Sequence, residues 1–317
     1  MTETIIKDVQ KTPVTSPKKQ RLGQDKWEQI TGYLFVLPAL VYMIALIGYP
    51  MVYNFLLSFQ DSTAANIKDP NKAYIGFQNY VTVFQDEVMP YAIRNTLTYT
   101  IVCILIQFTL GLLFALLLNG KFKLAKPIRG FIVVSWIMPT VVTALMFKYM
   151  LSPEVGIIDK ILIGFGILQE PVGWLQNTET ALWGTIIANS WVGVPFNMLL
   201  LSTGLTNISE DVYESAAIDG ANVFQRFFYI TLPLLRPAML SVLMLGFMYT
   251  FKVFDLIYVM TGGGPVNATE VFSTFSYRLS FSFYYFGQGA AVANVLFLFL
   301  FSVSMFYRYL IGKEEKA

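Results

Sequence analysis

The stretch ESAAIDGANVFQRFFYITLPLLRP, residues 214–237, separates two strongly hydrophobic segments of the chain. It begins with acidic and alanine residues, passes through a glycine, continues with phenylalanines and ends with two prolines. This polar, turn-forming sequence contrasts with everything around it. The composition of the surrounding chain decides what kind of element it is.

The amino-acid composition indicates a membrane protein. The chain has 317 residues, of which 55% are hydrophobic and 13% are charged, whereas a typical soluble domain has about 25% charged residues. Its 27 Phe and 18 Tyr would need an implausibly large dry core in a soluble fold of this length, but they are ordinary where lipid surrounds apolar side chains. A water-soluble globule is therefore excluded as the first interpretation.

The same composition argues against several kinds of site. The net charge is +2 and the basic residues occur in short segments, so no groove for nucleic acid is predicted. The chain has no histidine and a single cysteine, Cys103, inside an apolar run. A disulfide framework, a zinc site and histidine-based catalysis within this chain are thereby ruled out. We predict no metal site and no catalytic residues.

Six segments are apolar over the roughly 20 residues that a helix needs to cross a bilayer. Because unpaired backbone groups are costly in hydrocarbon, each is predicted to be helical. Prolines inside them, such as Pro38, Pro50, Pro139 and Pro195, are expected to kink the helices rather than break them. The predicted fold class is an all-α integral membrane protein with six transmembrane helices, at residues 32–59, 93–119, 128–150, 181–205, 238–261 and 288–311.

The positive charges predict the orientation of these spans. Fifteen Lys and Arg lie in the N-terminal tail, the second-to-third connection, the stretch 214–237 and the C-terminal end, against four in the other three loops. By the positive-inside rule both termini and the stretch are cytoplasmic. We predict a cytoplasmic tail over residues 1–29, a six-helix domain over 30–312 with a cytoplasmic loop at about 207–237, and a cytoplasmic tail over 313–317.

A cleavable signal peptide is the alternative for the N-terminal region. The apolar run begins only near residue 30, is too long for a signal core and is followed by no small-residue cleavage pattern. These features favour a retained first helix.

The residues around Gly220 predict a helix-turn-helix. On a helical wheel, residues 210–221 place acidic and serine side chains on one half and valine, tyrosine, alanine and glycine on the other. Ser209 can cap the start, where acidic residues suit the positive end of the helix dipole. Three phenylalanines then form a second apolar stripe, which Pro233 and Pro237 are expected to end before the fifth span.

Two interpretations of this element stay open on physical grounds. It is either an amphipathic connector lying on the membrane or a docking surface. Small residues would let a partner's backbone approach closely, and the acidic half could meet a basic partner.

The residue order of the stretch resembles the cytoplasmic EAA loop of permease subunits in ATP-binding-cassette (ABC) importers. Ser215 replaces the usual alanine at one small-residue position, a change of little volume. Residues 254–265, FDLIYVMTGGGP, are similar to the end of the fifth span in carbohydrate-type permeases, the relatives of the maltose importer. Together with the six-helix layout, the resemblance covers most of the chain beyond the tail. It implies a type I ABC importer permease fold with an EAA coupling helix.

The resemblance also implies partners and a mechanism. Such a subunit pairs with a second permease, here expected to be a different chain, and each of two cytoplasmic ATPase subunits receives one EAA helix in a surface cleft. ATP-driven closure of the ATPases would draw the coupling helices together and switch the permeases from inward-open to outward-open. An extracytoplasmic solute-binding protein would deliver the solute. The residues that would carry coupling are Glu214, Ala216, Asp219, Gly220, Ala221, Leu232 and Pro233.

The chain itself is expected to bind no nucleotide. It has no Gly-x-x-x-x-Gly-Lys-Ser/Thr loop, so ATP and magnesium would be held by the ATPase subunits, and this chain would need no cofactor and be no enzyme. The run Gly262, Gly263, Gly264 and Pro265 lacks the lysine and is expected on the outer side. It is interpreted as a flexible loop facing the solute-binding protein, with a plain turn as the alternative.

Polar and aromatic residues in the fourth and fifth spans are candidates for the solute passage. Ionisable residues inside a span usually face a cavity, although Lys252 and Asp255 could also simply pair with each other. Amide groups suit sugar hydroxyls and aromatic faces suit sugar C–H groups, although interface aromatics and helix packing would explain any single residue. The candidates are Asn189, Trp191, Asn197, Tyr249, Lys252, Asp255 and Tyr258.

The predicted function is a permease subunit of an ABC importer that moves a sugar or oligosaccharide across a bacterial cell membrane. A secondary transporter is the alternative from another class, but no internal repeat is found. An intramembrane aspartyl protease needs two acids within the spans, and only Asp255 qualifies. A phosphate ester or polyamine would call for a ring of cationic or acidic residues, which the spans lack.

Overall fold

The computed structural model describes residues 22–120 and 122–314. Residues 315–317 of the predicted C-terminal tail and most of the N-terminal tail lie outside these ranges. The first helix begins at Leu22, inside the tail predicted over residues 1–29, and the last helix extends to Glu314, inside the tail predicted over residues 313–317. The α-helices of the described residues are α1 Leu22–Met43, α2 Tyr49–Leu57, α3 Gln78–Gln85, α4 Met89–Leu118, α5 Ala125–Ile137, α6 Thr140–Met150, α7 Ile157–Gly164, α8 Ala181–Thr206, α9 Glu210–Ile218, α10 Val223–Arg226, α11 Leu232–Phe251, α12 Asp255–Met260, α13 Phe272–Tyr277 and α14 Phe286–Glu314.

The chain divides into two compact units, Met1–Tyr53 and Asn54–Ala317. In the first unit, α1 passes through Pro38 and continues by way of the π-helix Ile44–Gly48 into α2. The wider π-turn comes just before Pro50, where the proline removes a backbone donor. The helical run therefore continues through both prolines, as the sequence predicts.

The membrane-spanning pattern agrees with the prediction at four of the six segments. Long apolar helices occupy Gln29–Leu57, Met89–Leu118, Ala181–Thr206 and Phe286–Tyr309. Pro195 lies inside the third of these without interrupting it. Apart from an isolated bridge between Gln60 and Tyr74, the described residues form helices, turns and loops, so the fold is all-α.

The predicted third span is broken rather than kinked. Helices α5 and α6 meet at Met138 and Pro139 with a bend of 97°. Proline disfavours helical geometry in the residue before it, and Met138 is extended, with ψ of 137°. The prediction that Pro139 would only kink the helix is therefore wrong. The break turns α6 sharply away from the direction of α5.

The predicted fifth span, residues 238–261, begins and ends farther along the chain than the observed helix. One helical run extends from Val223 to Phe251, through the π-helix Phe227–Thr231 and past both prolines. The expectation that Pro233 and Pro237 end a separate element is wrong, since Pro233 directly follows the π-helix at the start of α11 and Pro237 lies inside α11. Beyond Phe251 the chain leaves the helix and starts α12 at Asp255.

Small residues allow α4, α8 and α11 to pack closely in the second unit. A Cβ on Gly204 of α8 would lie 2.6 Å from the Cβ of Ala238 and 2.7 Å from Leu235 Cδ1. A Cβ on Gly111 of α4 would lie 2.5 Å from the Cβ of Asn197. Such contacts are typical of helix pairs in membranes, where close packing replaces the hydrophobic effect. The apolar cluster around them joins all three helices, with Ala115, Leu118, Met198, Leu201, Leu205, Leu235 and Val242 buried.

We expect Gly204→Val to destabilise the chain by about 1–3 kcal/mol, because the new side chain must displace Leu235 and Ala238. The measurement is thermal unfolding of the detergent-solubilised chain. Gly130→Val is the matched control, since a Cβ on that helical glycine meets no atom within 4 Å. Equal destabilisation by the two variants would contradict the close α8–α11 contact.

Candidate coupling surface and transport cleft

The first candidate site is the short helix α9 and the turn that follows it. The Ser209 hydroxyl caps the helix by accepting a 3.3 Å hydrogen bond from the backbone N–H of Asp211. At the other end, Gly220 has φ of +80°, and the N–H groups of Ala221 and Gly220 donate to the carbonyls of Ala216 and Ala217 at 2.9 and 3.1 Å. This is the Schellman motif, which needs a residue with positive φ and therefore favours glycine.

A second capped helix, α10, starts at Val223, three residues after Gly220. Asn222 accepts a 2.9 Å bond from the backbone N–H of Gln225, whose side chain accepts a 2.8 Å bond from the N–H of Asn222. This capping box fixes the start of the helical run that becomes the fifth span. The predicted helix-turn-helix is thus present, with a small notch of about 270 Å³ beside the turn, lined in part by Asp219, Gly220 and Tyr229.

Most side chains of α9 face away from the rest of the chain. Glu214 and Asp219 are exposed, and Ile218 is 87% exposed. Ala216 and Ala221 are partly buried, while Leu232 and Pro233 lie farther on, at the start of α11. An exposed helix with an apolar residue at its tip and two acids at its side is a surface able to enter a groove on another protein.

The second candidate site is a cleft of about 460 Å³ lined by residues of α4, α5, α6, α8, α11 and α12. Four of the seven residues proposed for the solute passage line it, namely Asn189, Tyr249, Lys252 and Asp255. Both breaks in the predicted spans also lie on its wall. Trp136 and Thr140 flank the break at Pro139, and residues 252–255 form the break after α11. Irregular backbone at membrane depth is tolerated where it lines such a cavity.

The two ionisable residues of the cleft do not pair with each other. The Lys252 ammonium lies 5.5 Å from the ring centroid of Tyr249, within cation–π range. Asp255 is in the first turn of α12, where a negative charge suits the helix dipole. The prediction that both lie within a continuous fifth span is corrected: α11 ends at Phe251, before Lys252, and both residues are exposed at the break.

A glutamine that the sequence analysis missed forms the back of the cleft. Gln107 on α4 is 4% exposed, and its side-chain amide donates a 3.2 Å bond to the carbonyl of Asn189 on α8. A Cβ on Gly193 would overlap the Gln107 side chain. Its position as a strongly polar residue in the middle of an apolar span is the sequence signal that could have identified Gln107.

Three of the seven proposed passage residues lie elsewhere. Asn197 is buried and donates a 2.8 Å bond to the carbonyl of Gly193 in its own helix. Trp191 points into a separate apolar cleft and contacts the Phe147 ring edge-on at 6.3 Å. Tyr258 stacks on Phe254 at 5.1 Å. Helical period alone did not reveal which face of each span meets the cleft.

The glycine run forms an ordered loop. The Thr269 hydroxyl, fully buried, donates a 2.7 Å bond to the carbonyl of Gly264, and its oxygen lies 2.6 Å from the Thr261 hydroxyl. Gly263 packs against the Glu270 carboxylate, which leaves no room for a side chain. These internal bonds correct the expectation of a flexible loop. Gly262, Gly264 and Pro265 remain at least partly exposed.

An ion pair holds the end of this loop. Glu270 is fully buried, and its carboxylate lies 2.9 Å from the guanidinium of Arg278. Burial raises the pKa of the Glu270 carboxyl above its ordinary value, and the nearby Arg278 charge opposes that rise. The amide of Asn95 on α4 also donates to the backbone carbonyls of Asn267 and Glu270, each at 3.0 Å. The loop is therefore fastened to the long helix α4.

Within the described residues, no group of three His, Cys, Asp or Glu side chains lies close enough together to hold a metal ion.

Residues 107–313 match the family model described as "Binding-protein-dependent transport system inner membrane component". The chain is 35% identical to the trehalose/maltose transport system permease protein MalF of Thermococcus litoralis, over 87% of this chain and 92% of that protein. It is 30% identical to the lactose transport system permease protein LacF of Rhizobium radiobacter, over 93% and 98% of the two chains.

A solved structure supports the same fold. The chain resembles a subunit of a bacterial ABC transporter involved in the import of the acidic polysaccharide alginate, with a TM-score of 0.79 and 25% identity. The match covers 93% of this chain and 99% of that one.

Proposed function

The chain belongs to the family of binding-protein-dependent transport system inner membrane components, and on that premise we propose that it translocates a sugar or oligosaccharide as one half of the pore of an ABC importer. The observation that carries the proposal is the helical run Val223–Phe251, which begins at the exposed turn after α9 and ends at the cleft. One helix thus connects a docking surface with a solute site.

The chemistry of the cleft supports a sugar as the solute. The amides of Gln107 and Asn189 can exchange hydrogen bonds with hydroxyl groups, and the rings of Trp136 and Tyr249 offer apolar faces. Among the described residues that line it, Lys252 is the one cation and Asp255 the one anion, a balance that favours neither a phosphate ester nor a polyamine. The names of MalF and LacF, which refer to trehalose, maltose and lactose, point in the same direction.

The exposure of α9 supports its role as the surface that docks to an ATPase subunit. Glu214 and Asp219 offer charge to a basic groove, Ala216 and Ala221 permit close approach, and Gly220 supplies the turn. Leu232 and Pro233 would carry movement of this surface into the start of α11. Two ATPase subunits would bind ATP and magnesium, so that this chain needs no cofactor and catalyses no reaction.

The remaining partners follow from the same proposal. A second, different permease chain would complete the pore, and an external solute-binding protein would meet the loop that contains Gly262, Gly263, Gly264 and Pro265. Both termini would face the cytoplasm of a bacterial cell, as the distribution of positive charge favours. The ordered state of the glycine loop suits a docking role, because a loop that is already held loses little entropy on binding.

The decisive experiment reconstitutes the chain with its companion permease, two ATPase subunits and the binding protein in liposomes. Trehalose, maltose and lactose are offered in turn, and uptake and ATP hydrolysis are measured together. We expect at least one of these sugars to stimulate hydrolysis and to accumulate only when the binding protein is present. Uptake by the chain alone, driven by an ion gradient, would instead establish a secondary transporter.

We expect Gly220→Pro to abolish coupled transport, because proline cannot adopt φ of +80°. Gly220→Asn is the matched control and should retain most activity, since asparagine tolerates positive φ. Co-purification of the ATPase subunits and uptake per complex are the two measurements. Intact coupling in Gly220→Pro would remove the turn from the docking surface.

We expect Tyr249→Leu to lower sugar uptake about 3- to 10-fold, through loss of an aromatic face in the cleft. Tyr309→Leu is the control, since that exposed ring lies at the end of the last span, far along the chain from the cleft. Uptake is measured at saturating binding protein. Equal uptake by Tyr249→Leu and the unaltered chain would exclude stacking on this ring.

A further inference from the structure

A side-chain hydrogen bond joins the exposed helix α9 to the helical run that forms the fifth span. Only Tyr213 and Ala216 among the residues of α9 are partly buried. The Tyr213 hydroxyl lies 3.0 Å from the Oγ1 of Thr231, a side chain that is 6% exposed. A residue on an otherwise exposed helix thereby reaches a buried hydroxyl eighteen positions farther along the chain.

The direction of this hydrogen bond follows from the next one. The Thr231 hydroxyl donates a 3.3 Å bond to the backbone carbonyl of Arg226. A hydroxyl has one hydrogen, so the Tyr213 hydroxyl is the donor to Thr231. Two bonds in series therefore join α9, the π-helix Phe227–Thr231 and the last residue of α10.

The position of Thr231 allows this hydrogen bond to transmit force to the fifth-span helix. Thr231 ends the π-helix near the start of the helical run Val223–Phe251. A helix of this length spans about 43 Å at 1.5 Å per residue. Its far end is followed by Lys252, which lines the cleft. A pull on Tyr213 therefore acts on the same helix whose other end bounds the solute site.

The covalent route between α9 and this helix is less direct. It runs through the glycine turn at residues 219–222 and then through α10 and the π-helix up to Thr231. Without a lateral bond, a displacement of α9 could be taken up by the turn rather than passed to α11.

We propose that the hydrogen bond from Tyr213 to Thr231 is the positioning contact that makes α9 and the base of the fifth-span helix move as one body. The inference rests on the proposed function, because it presumes that an ATPase subunit displaces α9. Neither side chain touches solute or nucleotide in this proposal. Their effect is on the efficiency with which ATP hydrolysis is converted into transport.

The test compares solute transported per ATP hydrolysed in the full reconstituted complex, using whichever of trehalose, maltose and lactose the unaltered complex carries. Tyr213→Phe keeps the ring and removes the donor, and Thr231→Val keeps the shape and removes the acceptor. Thr231→Ser keeps the hydroxyl. We expect the transport-to-hydrolysis ratio to fall about 3- to 10-fold in the first two variants, and to stay near the unaltered value in Thr231→Ser.

The double variant Tyr213→Phe with Thr231→Val separates this bond from unrelated damage. If the bond is the cause, the double variant should be no worse than either single one. Controls are Tyr309→Phe and Thr203→Val, which remove hydroxyls from exposed residues of other helices and should leave the ratio unchanged.

Two results would overturn the inference. One is an unchanged ratio in Tyr213→Phe and Thr231→Val. The other is a loss of ATPase assembly in both variants with a normal ratio in the complexes that remain, because the bond would then only build the docking surface. Failure of the proposed function looks different, since the unaltered complex itself would show no sugar-stimulated hydrolysis.

Discussion

The rest of this structure depends on the cost of an unpaired backbone group in hydrocarbon. That cost forces the spans to be helical and permits irregular backbone only where something else satisfies or surrounds it. The breaks at Pro139 and after Phe251 both lie on the wall of one cleft. The carbonyl of Val253 at the second break accepts a hydrogen bond from the Ser273 hydroxyl. The cleft therefore lies where the helices are interrupted, and part of its polar lining comes from those interruptions.

The same constraint explains how the candidate coupling surface, α9 and the turn at Gly220, is connected to the cleft. Because a helix satisfies its own backbone, the run from Val223 to Phe251 can pass from the exposed turn to the cleft, packed on the way against α4 and α8. The π-helix Phe227–Thr231 absorbs the change of register before Pro233. The exposed turn and the cleft are thus joined by one secondary-structure element, and the Tyr213 hydroxyl of α9 is hydrogen-bonded to Thr231 within it.

Much of the fold could be predicted because its signals are local. The apolar runs predicted six spans, and four have nearly the predicted bounds. The cap at Ser209 and the turn at Gly220 follow from neighbouring residues and were predicted correctly. The errors occurred at prolines of the third and fifth spans, where the structure shows the opposite of the predicted effect. Pro233 and Pro237 remain inside a helix, whereas Pro139 becomes a break that opens onto the cleft.

The sequence by itself determined that this chain spans a membrane, where most of its long helices lie and which residues form the turn at Gly220, because hydrophobic length and capping depend on neighbours in the chain. Only the tertiary structure decided which polar residues share a cleft. Gln107 meets Asn189 because Gly193 leaves room for its side chain, while Asn197, one turn away, is buried against Gly111. Which face of a span meets the cleft depends on packing between helices distant in sequence, and hydropathy along one helix does not encode it.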